Sequence, residues 1–331
     1  MRLLISGGAG FIGSNLARFI LSKKEPEVVI IIDNLSTGRI DNISDLFLDP
    51  RLKFFQCDLT KDYPLLDFIF RQYSPQIIFH LAAEAYVDES IVNPLIASSN
   101  FQMTNIFLEK AREYGVERFF HISTDEVYGS ILDGFADESY PLNPSSPYSA
   151  SKAGSDLLCL AYFKTYQVPV IITRASNNFG PYLDVRRLIP RHITNALLGY
   201  DLPIWGDGTQ IRDWLFVEDH CSALWLLLEK GKVGEIYNIG GGNLLRNIEV
   251  AEAILRLIPE SKSKIVRRGA RPADDTRYAL NIDKIKELGW EPRYGFEEAL
   301  KITIEWYKEN KDWWRGIKRT IEEEFFKPLG R

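Results

Sequence analysis

Leu3-Leu4-Ile5-Ser6-Gly7-Gly8-Ala9-Gly10-Phe11-Ile12-Gly13 is an apolar run that ends in a cluster of glycines. The cluster satisfies two spacings at once, G-x-G-x-x-G through Gly8, Gly10 and Gly13, and G-x-x-G-x-x-G through Gly7, Gly10 and Gly13. Glycine suits this place because the backbone must turn tightly from strand into helix and approach a pyrophosphate closely, which the positive end of the helix then meets. Gly7, Gly10, Phe11, Ile12 and Gly13 are therefore candidate cofactor contacts. Asp33 stands 20 positions beyond Gly13, at the end of the next apolar run. A carboxylate there accepts both ribose hydroxyls and repels a 2′-phosphate, so the expected cofactor is NAD rather than NADP. Asp58-Leu59, after a third run, could flank the adenine. Leu81-Ala82-Ala83, after a fourth, offers small residues for close approach.

Working outward, short apolar runs alternate with longer amphipathic stretches, the rhythm of strand–helix units in a parallel sheet. Strands are expected near Leu3–Ser6, Val28–Asp33, Leu52–Gln56, Ile77–His80, Phe119–Ser123 and Val170–Thr173. Helices are expected over Ile12–Leu21, Ile91–Tyr114 and Tyr148–Tyr166. After about Ala175 the rhythm shortens around Pro181, Pro190, Pro203 and Gly206-Asp207-Gly208, and amphipathic helices return at Val217–Glu229, Ile248–Leu257 and Phe296–Asn310. The fold class is α/β: a Rossmann-type doubly wound parallel sheet with a smaller C-terminal α/β lobe for the substrate. Residues 1–175 form the first unit and 176–331 the second, with room for segments to interleave.

With 331 residues and a formal net charge of −5, the chain lacks the basic surface of a nucleic-acid binder. Cys57, Cys159 and Cys221 are too scattered for a disulfide framework. His80, His121, His192 and His220 show no metal-ligand spacing, so no metal is expected. No run is long enough for a membrane span and the start lacks a signal-peptide core, so the expected location is the cytoplasm.

Tyr148-Ser149-Ala150-Ser151-Lys152 sets a tyrosine and a lysine at i and i+4, on one helical face. A nearby ammonium, together with a cationic nicotinamide, favours the phenolate needed to take a proton from a sugar hydroxyl. Ser123-Thr124-Asp125-Glu126-Val127-Tyr128-Gly129 follows the fifth strand, at the carboxyl edge where open α/β sheets bind ligands. Two adjacent carboxyls held in different protonation states can serve as acid and base, more than a simple alcohol dehydrogenase needs.

These motifs resemble the extended short-chain dehydrogenase/reductase superfamily and, within it, the dTDP-glucose 4,6-dehydratases. The resemblance also rests on Pro144-Ser145-Ser146-Pro147, Ser176-Asn177-Asn178-Phe179-Gly180-Pro181-Tyr182, Gln210-Ile211-Arg212-Asp213-Trp214-Leu215, Tyr237-Asn238-Ile239-Gly240-Gly241 and Arg277-Tyr278-Ala279. It implies that Tyr148, with Lys152 and Thr124, deprotonates the glucose C4 hydroxyl as hydride passes to NAD. Glu126 then removes the C5 proton, Asp125 protonates the departing C6 hydroxyl, and hydride returns to C6. It extends the cofactor contacts to Asn34, Ser36, Thr37, Ser99 and Asn178. For the nucleotide sugar it implies Asn177 at the phosphates and Arg187, Leu188, Pro203, Ile204 and Trp205 around the base. Arg212 would clamp the pyrophosphate, and Asn247, Arg271 and Asp275 would complete the site. A homodimer joined by a four-helix bundle, built from the helices over 91–114 and 148–166, is implied as well.

The chain departs from the family pattern in four places, one of them a shorter loop after Gly129. It has Ala85 and Tyr86-Val87-Asp88-Glu89-Ser90 where serine and His-Val-Asp-Arg-Ser are usual. Arg187 stands for a lysine, and Arg271-Pro272-Ala273-Asp274-Asp275 for Arg-Pro-Gly-His-Asp. Two other activities share the scaffold, nucleotide-sugar 4-epimerisation and UDP-glucuronate decarboxylation, and neither calls for the Asp125–Glu126 pair. A non-catalytic NAD-binding regulator would have no physical need of Thr124, Tyr148 and Lys152 together.

Overall fold

The computed structural model describes residues 1–269 and 275–325, with side chains through residue 318. In chain order the strands are β1 (Arg2–Ser6), β2 (Val28–Asp33), β3 (Leu52–Gln56), β4 (Ile77–His80), β5 (Arg118–Thr124), β6 (Val170–Ala175), β7 (Asn177–Phe179), β8 (Leu202–Trp205), β9 (Ile211–Phe216), β10 (Ile236–Ile239), β11 (Leu244–Arg246) and β12 (Ile265–Arg268). Seven of them form one sheet in the order β10-β6-β5-β4-β1-β2-β3, parallel throughout. Its strands are apolar and mostly buried because helices cover both faces, which separates the core into one cluster on each side. The strand order reverses between β1 and β4, and the crevice above such a switch point is where this architecture binds ligands.

All six expected strands form within two residues of their anticipated ends. The helix expected over Ile91–Tyr114 is interrupted instead. It divides into Val87–Val92, a 3-10 turn Pro94–Ala97 and a helix Ser98–Tyr114, because Pro94 has no N–H to continue the first piece.

The smaller lobe holds the three-stranded sheet β11-β9-β7, the pair β12-β8 and its own core, which includes Phe179, Ile193, Ile254, Leu300 and Trp314. The chain returns to the large sheet after residue 175. Helix Val217–Lys230 packs on helix Phe11–Leu21, and β10 extends the sheet beside β6. Residues 217–239 thus sit with the first unit, carried there by apolar residues such as Val217, Leu224, Leu227, Tyr237 and Ile239.

Candidate active site

The glycine turn joins β1 to helix Phe11–Leu21. Gly7 has φ +68°, a region that favours glycine, and a Cβ there would lie 2.8 Å from the Ala82 nitrogen. A Cβ at Gly13 would collide with the Gly7 carbonyl oxygen. The turn is therefore a cradle of bare backbone at a helix N-terminus, which suits a pyrophosphate. Asp33, at the end of β2, accepts from Ala9 N at 3.0 Å and Leu35 N at 2.8 Å. Burial raises its carboxyl pKa, and those backbone N–H groups work against the rise. One further lone pair on each oxygen remains for a ribose hydroxyl. These are the features a bound NAD requires, and the residues present fit it.

Two local devices aim the catalytic side chains. Ser146 caps helix Pro147–Tyr166 by accepting from Ser149 N at 3.1 Å, while Ser149 Oγ accepts from Ser146 N at 3.0 Å. With Pro147 in the first turn, this fixes where Tyr148 leaves the chain. Thr124 ends β5 and accepts from Glu126 N at 3.2 Å, so the Asp125–Tyr128 segment turns sharply over the sheet edge. Thr124, Asp125, Glu126, Tyr148 and Lys152 all line one cleft with the glycine turn.

Asp125 is buried, and burial raises its carboxyl pKa well above the ordinary range, with Glu126 and Asp213 adding to the rise. Its Oδ2 has no partner among the described residues. An acid whose neutral form is favoured by burial thus stands beside a second carboxyl. Lys152 is buried as well and donates from Nζ to the Ile122 carbonyl at 2.8 Å. Burial lowers its pKa to about 8, and Asp156 opposes that fall. Tyr148 differs from expectation. Burial and the Glu126 charge hold its phenol above the ordinary value, Arg187 pulling the other way. Among the chain's own charges only Arg187 favours the phenolate, and the cationic ring of a bound nicotinamide would add to it.

Most of the expected contacts border this cleft. At the cofactor end these are Gly7, Gly10, Phe11, Ile12, Gly13, Asp33, Asn34, Ser36, Thr37, Leu59, Leu81, Ala82 and Ala83. Asn177, Asn178, Arg187, Leu188, Pro203, Trp205, Arg212, Asn247 and Asp275 border it from the smaller lobe and its approach. Asn177 Oδ1 and Asn247 Oδ1 are buried without partners among the described residues, and Trp205 is exposed enough to offer a stacking face. Arg212 lies 4.4 Å over the Tyr278 ring. The Asp275 carboxylate is occupied by Ser130 and Ser145 hydroxyls and by Tyr278 OH at 2.7 Å, so it positions its neighbours.

Three expected contacts do not border the cleft. The Asp58 carboxylate turns to Thr60 and Lys61, capping its own turn. Ser99 Oγ donates to the Ile96 carbonyl at 2.7 Å, a bond internal to its helix start. Ile204 is buried in the smaller lobe's core, because side chains alternate along β8 and its neighbours Pro203 and Trp205 take the outer face. Arg271 lies outside the described residues.

Tyr86 and Glu89 are joined through Arg186, and the Arg187 guanidinium lies 4.6 Å over the Tyr86 ring. The Arg186 guanidinium lies 3.9 Å over the Tyr86 ring and pairs with Glu89 at 3.1 Å and Asp184 at 3.0 Å. Arg187 donates to the Ala85 carbonyl at 2.7 Å. Sequence reading also missed a buried network beneath the catalytic groups. Asp156, four residues past Lys152, accepts from Arg174 Nε at 2.8 Å and faces His121 at 3.4 Å. Arg174 Nη1 donates to Tyr128 OH at 2.8 Å, and that hydroxyl donates to Asn238 Oδ1 at 2.8 Å. The network ties the helix of Tyr148 and Lys152 to the turn carrying Asp125 and Glu126. Its one visible signal was the i, i+4 step from Lys152 to a carboxylate.

A glycine cradle with a ribose-facing acid, a tyrosine–lysine pair and an added acid pair define a dinucleotide-dependent enzyme that does more than oxidise. The chain belongs to the family whose model is described as GDP-mannose 4,6 dehydratase, which matches residues 4–303. It is 44% identical over 345 residues to the dTDP-glucose 4,6-dehydratase of Neisseria meningitidis serogroup B, covering 96% of each chain. Among solved structures it is similar to the dTDP-glucose 4,6-dehydratase of Streptomyces venezuelae with NAD and dTDP bound. There the identity is 43% and the TM-score 0.91, covering 96% of this chain and 100% of that one. The UDP-glucose 4-epimerase of Thermotoga maritima shares the fold at 30% identity and TM-score 0.87, covering 94% of this chain and 100% of that one.

Proposed function

We propose that the protein catalyses the NAD-dependent 4,6-dehydration of dTDP-glucose to dTDP-4-keto-6-deoxyglucose. The full-length relatives named for this reaction support it. The observation that carries it is the buried, proton-retaining Asp125 beside Glu126, in the same cleft as Tyr148 and Lys152.

Bound NAD supplies a reversible two-electron acceptor for the sugar. Tyr148 takes the C4 hydroxyl proton, with Lys152 and Thr124 lining the cleft beside it. The 4-ketone so formed makes the C5 proton acidic, because the resulting carbanion is an enolate. Glu126 removes that proton, and Asp125 gives its own to the C6 hydroxyl, which leaves as water; the hydride taken from C4 would then return to C6 and a proton to C5, giving the 4-keto-6-deoxy sugar with the cofactor as it began. Burial, with the neighbouring Glu126 and Asp213 charges, raises the Asp125 carboxyl pKa well above the ordinary range, which suits it to act as the acid. Arg212 holds the pyrophosphate and Trp205 stacks on the base. Epimerisation at C4 needs neither the C5 base nor the C6 acid.

Incubation with dTDP-glucose should yield a product lighter by one water that absorbs strongly in alkali, with UDP-glucose tested in parallel. If dTDP-galactose alone appears, the activity is epimerisation. If no nucleotide hexose reduces the cofactor, the chain is not this enzyme.

Among the described residues no helix is long and apolar enough to cross a membrane and no cluster of metal-ligating side chains occurs. We place the protein in the cytoplasm, a reading supported by three buried, unpaired cysteines. We also read it as a homodimer. Helices Ser98–Tyr114 and Pro147–Tyr166 pack together and leave Phe101 and Leu157 exposed at 44% and 58%, apolar surface suited to a four-helix bundle. Charged replacements at both positions should halve the mass in solution, and an unaltered chain that is already monomeric refutes the dimer.

A further inference from the structure

The family match ends at residue 303, yet helix Lys311–Phe325 beyond it reaches back to the cofactor end of the cleft. Its anchor is Trp314, fully buried in the smaller lobe's core, whose indole N–H donates to the Tyr307 carbonyl at 2.8 Å. The preceding Trp313 packs at the edge of the same core and borders the cleft together with Arg39 and Asn42. Its Nε1 donates to Asn42 Oδ1 at 2.9 Å, a bond between residues 271 positions apart.

Asn42 is itself buried and passes the contact on. Its Nδ2 donates to the Ala9 carbonyl at 2.7 Å, an oxygen that also accepts from Arg39 N at 3.0 Å. Ala9 sits inside the glycine turn, and its N–H is the one held by Asp33. Both backbone groups of Ala9 are thus held, its N–H by the Asp33 carboxylate and its carbonyl by an amide that the smaller lobe fixes. Two further contacts stiffen the arrangement. The Arg39 guanidinium lies 5.6 Å over the Trp313 ring, and Tyr182 meets that ring edge-on at 5.9 Å.

We propose that Trp313 is a positioning residue for the cofactor: reaching from the smaller lobe, it fixes Asn42 and hence the Ala9 peptide, so that NAD stays bound between turnovers. An amide free to rotate would release that peptide, and the cradle could then open toward solvent. Because Trp313 and Asn42 belong to different lobes, a ligand that binds better with the lobes held together should also tighten NAD binding, and NAD should tighten its binding by the same factor. A dehydratase that returns its cofactor to the starting state each cycle gains from such retention.

The inference rests on NAD occupying this cleft, and the test separates the two. The unaltered protein and Trp313→Phe are loaded with NAD, passed over a desalting column, and sampled with time for protein-bound NAD. Trp313→Phe keeps an aromatic ring but removes the N–H donor and part of the ring area, so NAD loss should quicken about tenfold, at least the worth of one buried hydrogen bond. Turnover with saturating NAD should be unchanged. Asn42→Asp, which cannot donate to the Ala9 carbonyl, should reproduce the faster loss. Added dTDP should slow NAD loss from the unaltered protein and do so less in Trp313→Phe. Equal loss rates in all three proteins overturn the proposal, as does slower turnover with unchanged NAD retention. An unaltered protein that binds no NAD overturns the cofactor reading as well.

Discussion

Replacing Asp125 with asparagine separates the acid's chemistry from its packing. The side chain is 1% exposed, its Oδ1 is 3.3 Å from Thr124 Oγ1, and burial raises the carboxyl pKa well above the ordinary range, favouring the neutral acid. A neutral amide of the same shape replaces a neutral acid, so no buried charge is gained or lost. The stability cost should stay within about 1 kcal/mol, the worth of one modest hydrogen bond. What disappears is the ability to deliver a proton to a leaving hydroxyl. General acid catalysis is worth roughly 10²–10⁴-fold, or about 3–5 kcal/mol of barrier, and the loss falls on water elimination alone. The assay is a rapid quench with dTDP-glucose, followed by mass analysis for the 4-keto sugar before and after water loss, beside the absorbance of reduced cofactor. C4 oxidation should proceed near its normal rate while dehydration collapses. An Asp125→Asn protein that dehydrates normally, or that loses both steps equally while still melting at the usual temperature, refutes the assignment.

Glu126→Gln should likewise preserve C4 oxidation, but exchange of the C5 proton with solvent deuterium should vanish with it. Retained exchange would move the base elsewhere. Arg212→Lys keeps the charge and loses the planar fork, so the KM for dTDP-glucose should rise about tenfold while NAD binding holds. An unchanged KM would remove Arg212 from the pyrophosphate. His121, His192 and His220 are buried with pKa values lowered to about 4 by that burial. The unfolded chain protonates them near 6.5 and the folded chain does not, so stability is lost as pH falls from about 6.5 toward 4. The loss amounts to roughly 3 kcal/mol for each histidine. The melting temperature should drop across that window, and a flat profile there would contradict the buried neutral imidazoles.

The parts of the fold that repeat locally were legible in the sequence. Each expected strand is a short apolar, largely β-branched run. The glycine turn carries its own geometry, since bare backbone at a strand end followed by an amphipathic helix has few other uses. The i, i+4 spacing of Tyr148 and Lys152 and the adjacency of Asp125 and Glu126 belong to local structure too. What only the tertiary structure decided depends on residues far apart in the chain. Proton retention by Asp125 comes from burial and from Asp213 on β9, and the raised phenol of Tyr148 from desolvation and the Glu126 charge. The return of β10 to the large sheet and the reach of Trp313 to Asn42 follow from packing between segments that carry no mutual signal in sequence. Local pattern sets which backbone forms and which side chains share a face. Solvent exclusion and long-range contact set their charge and their partners, and these exist only once the chain has closed on itself.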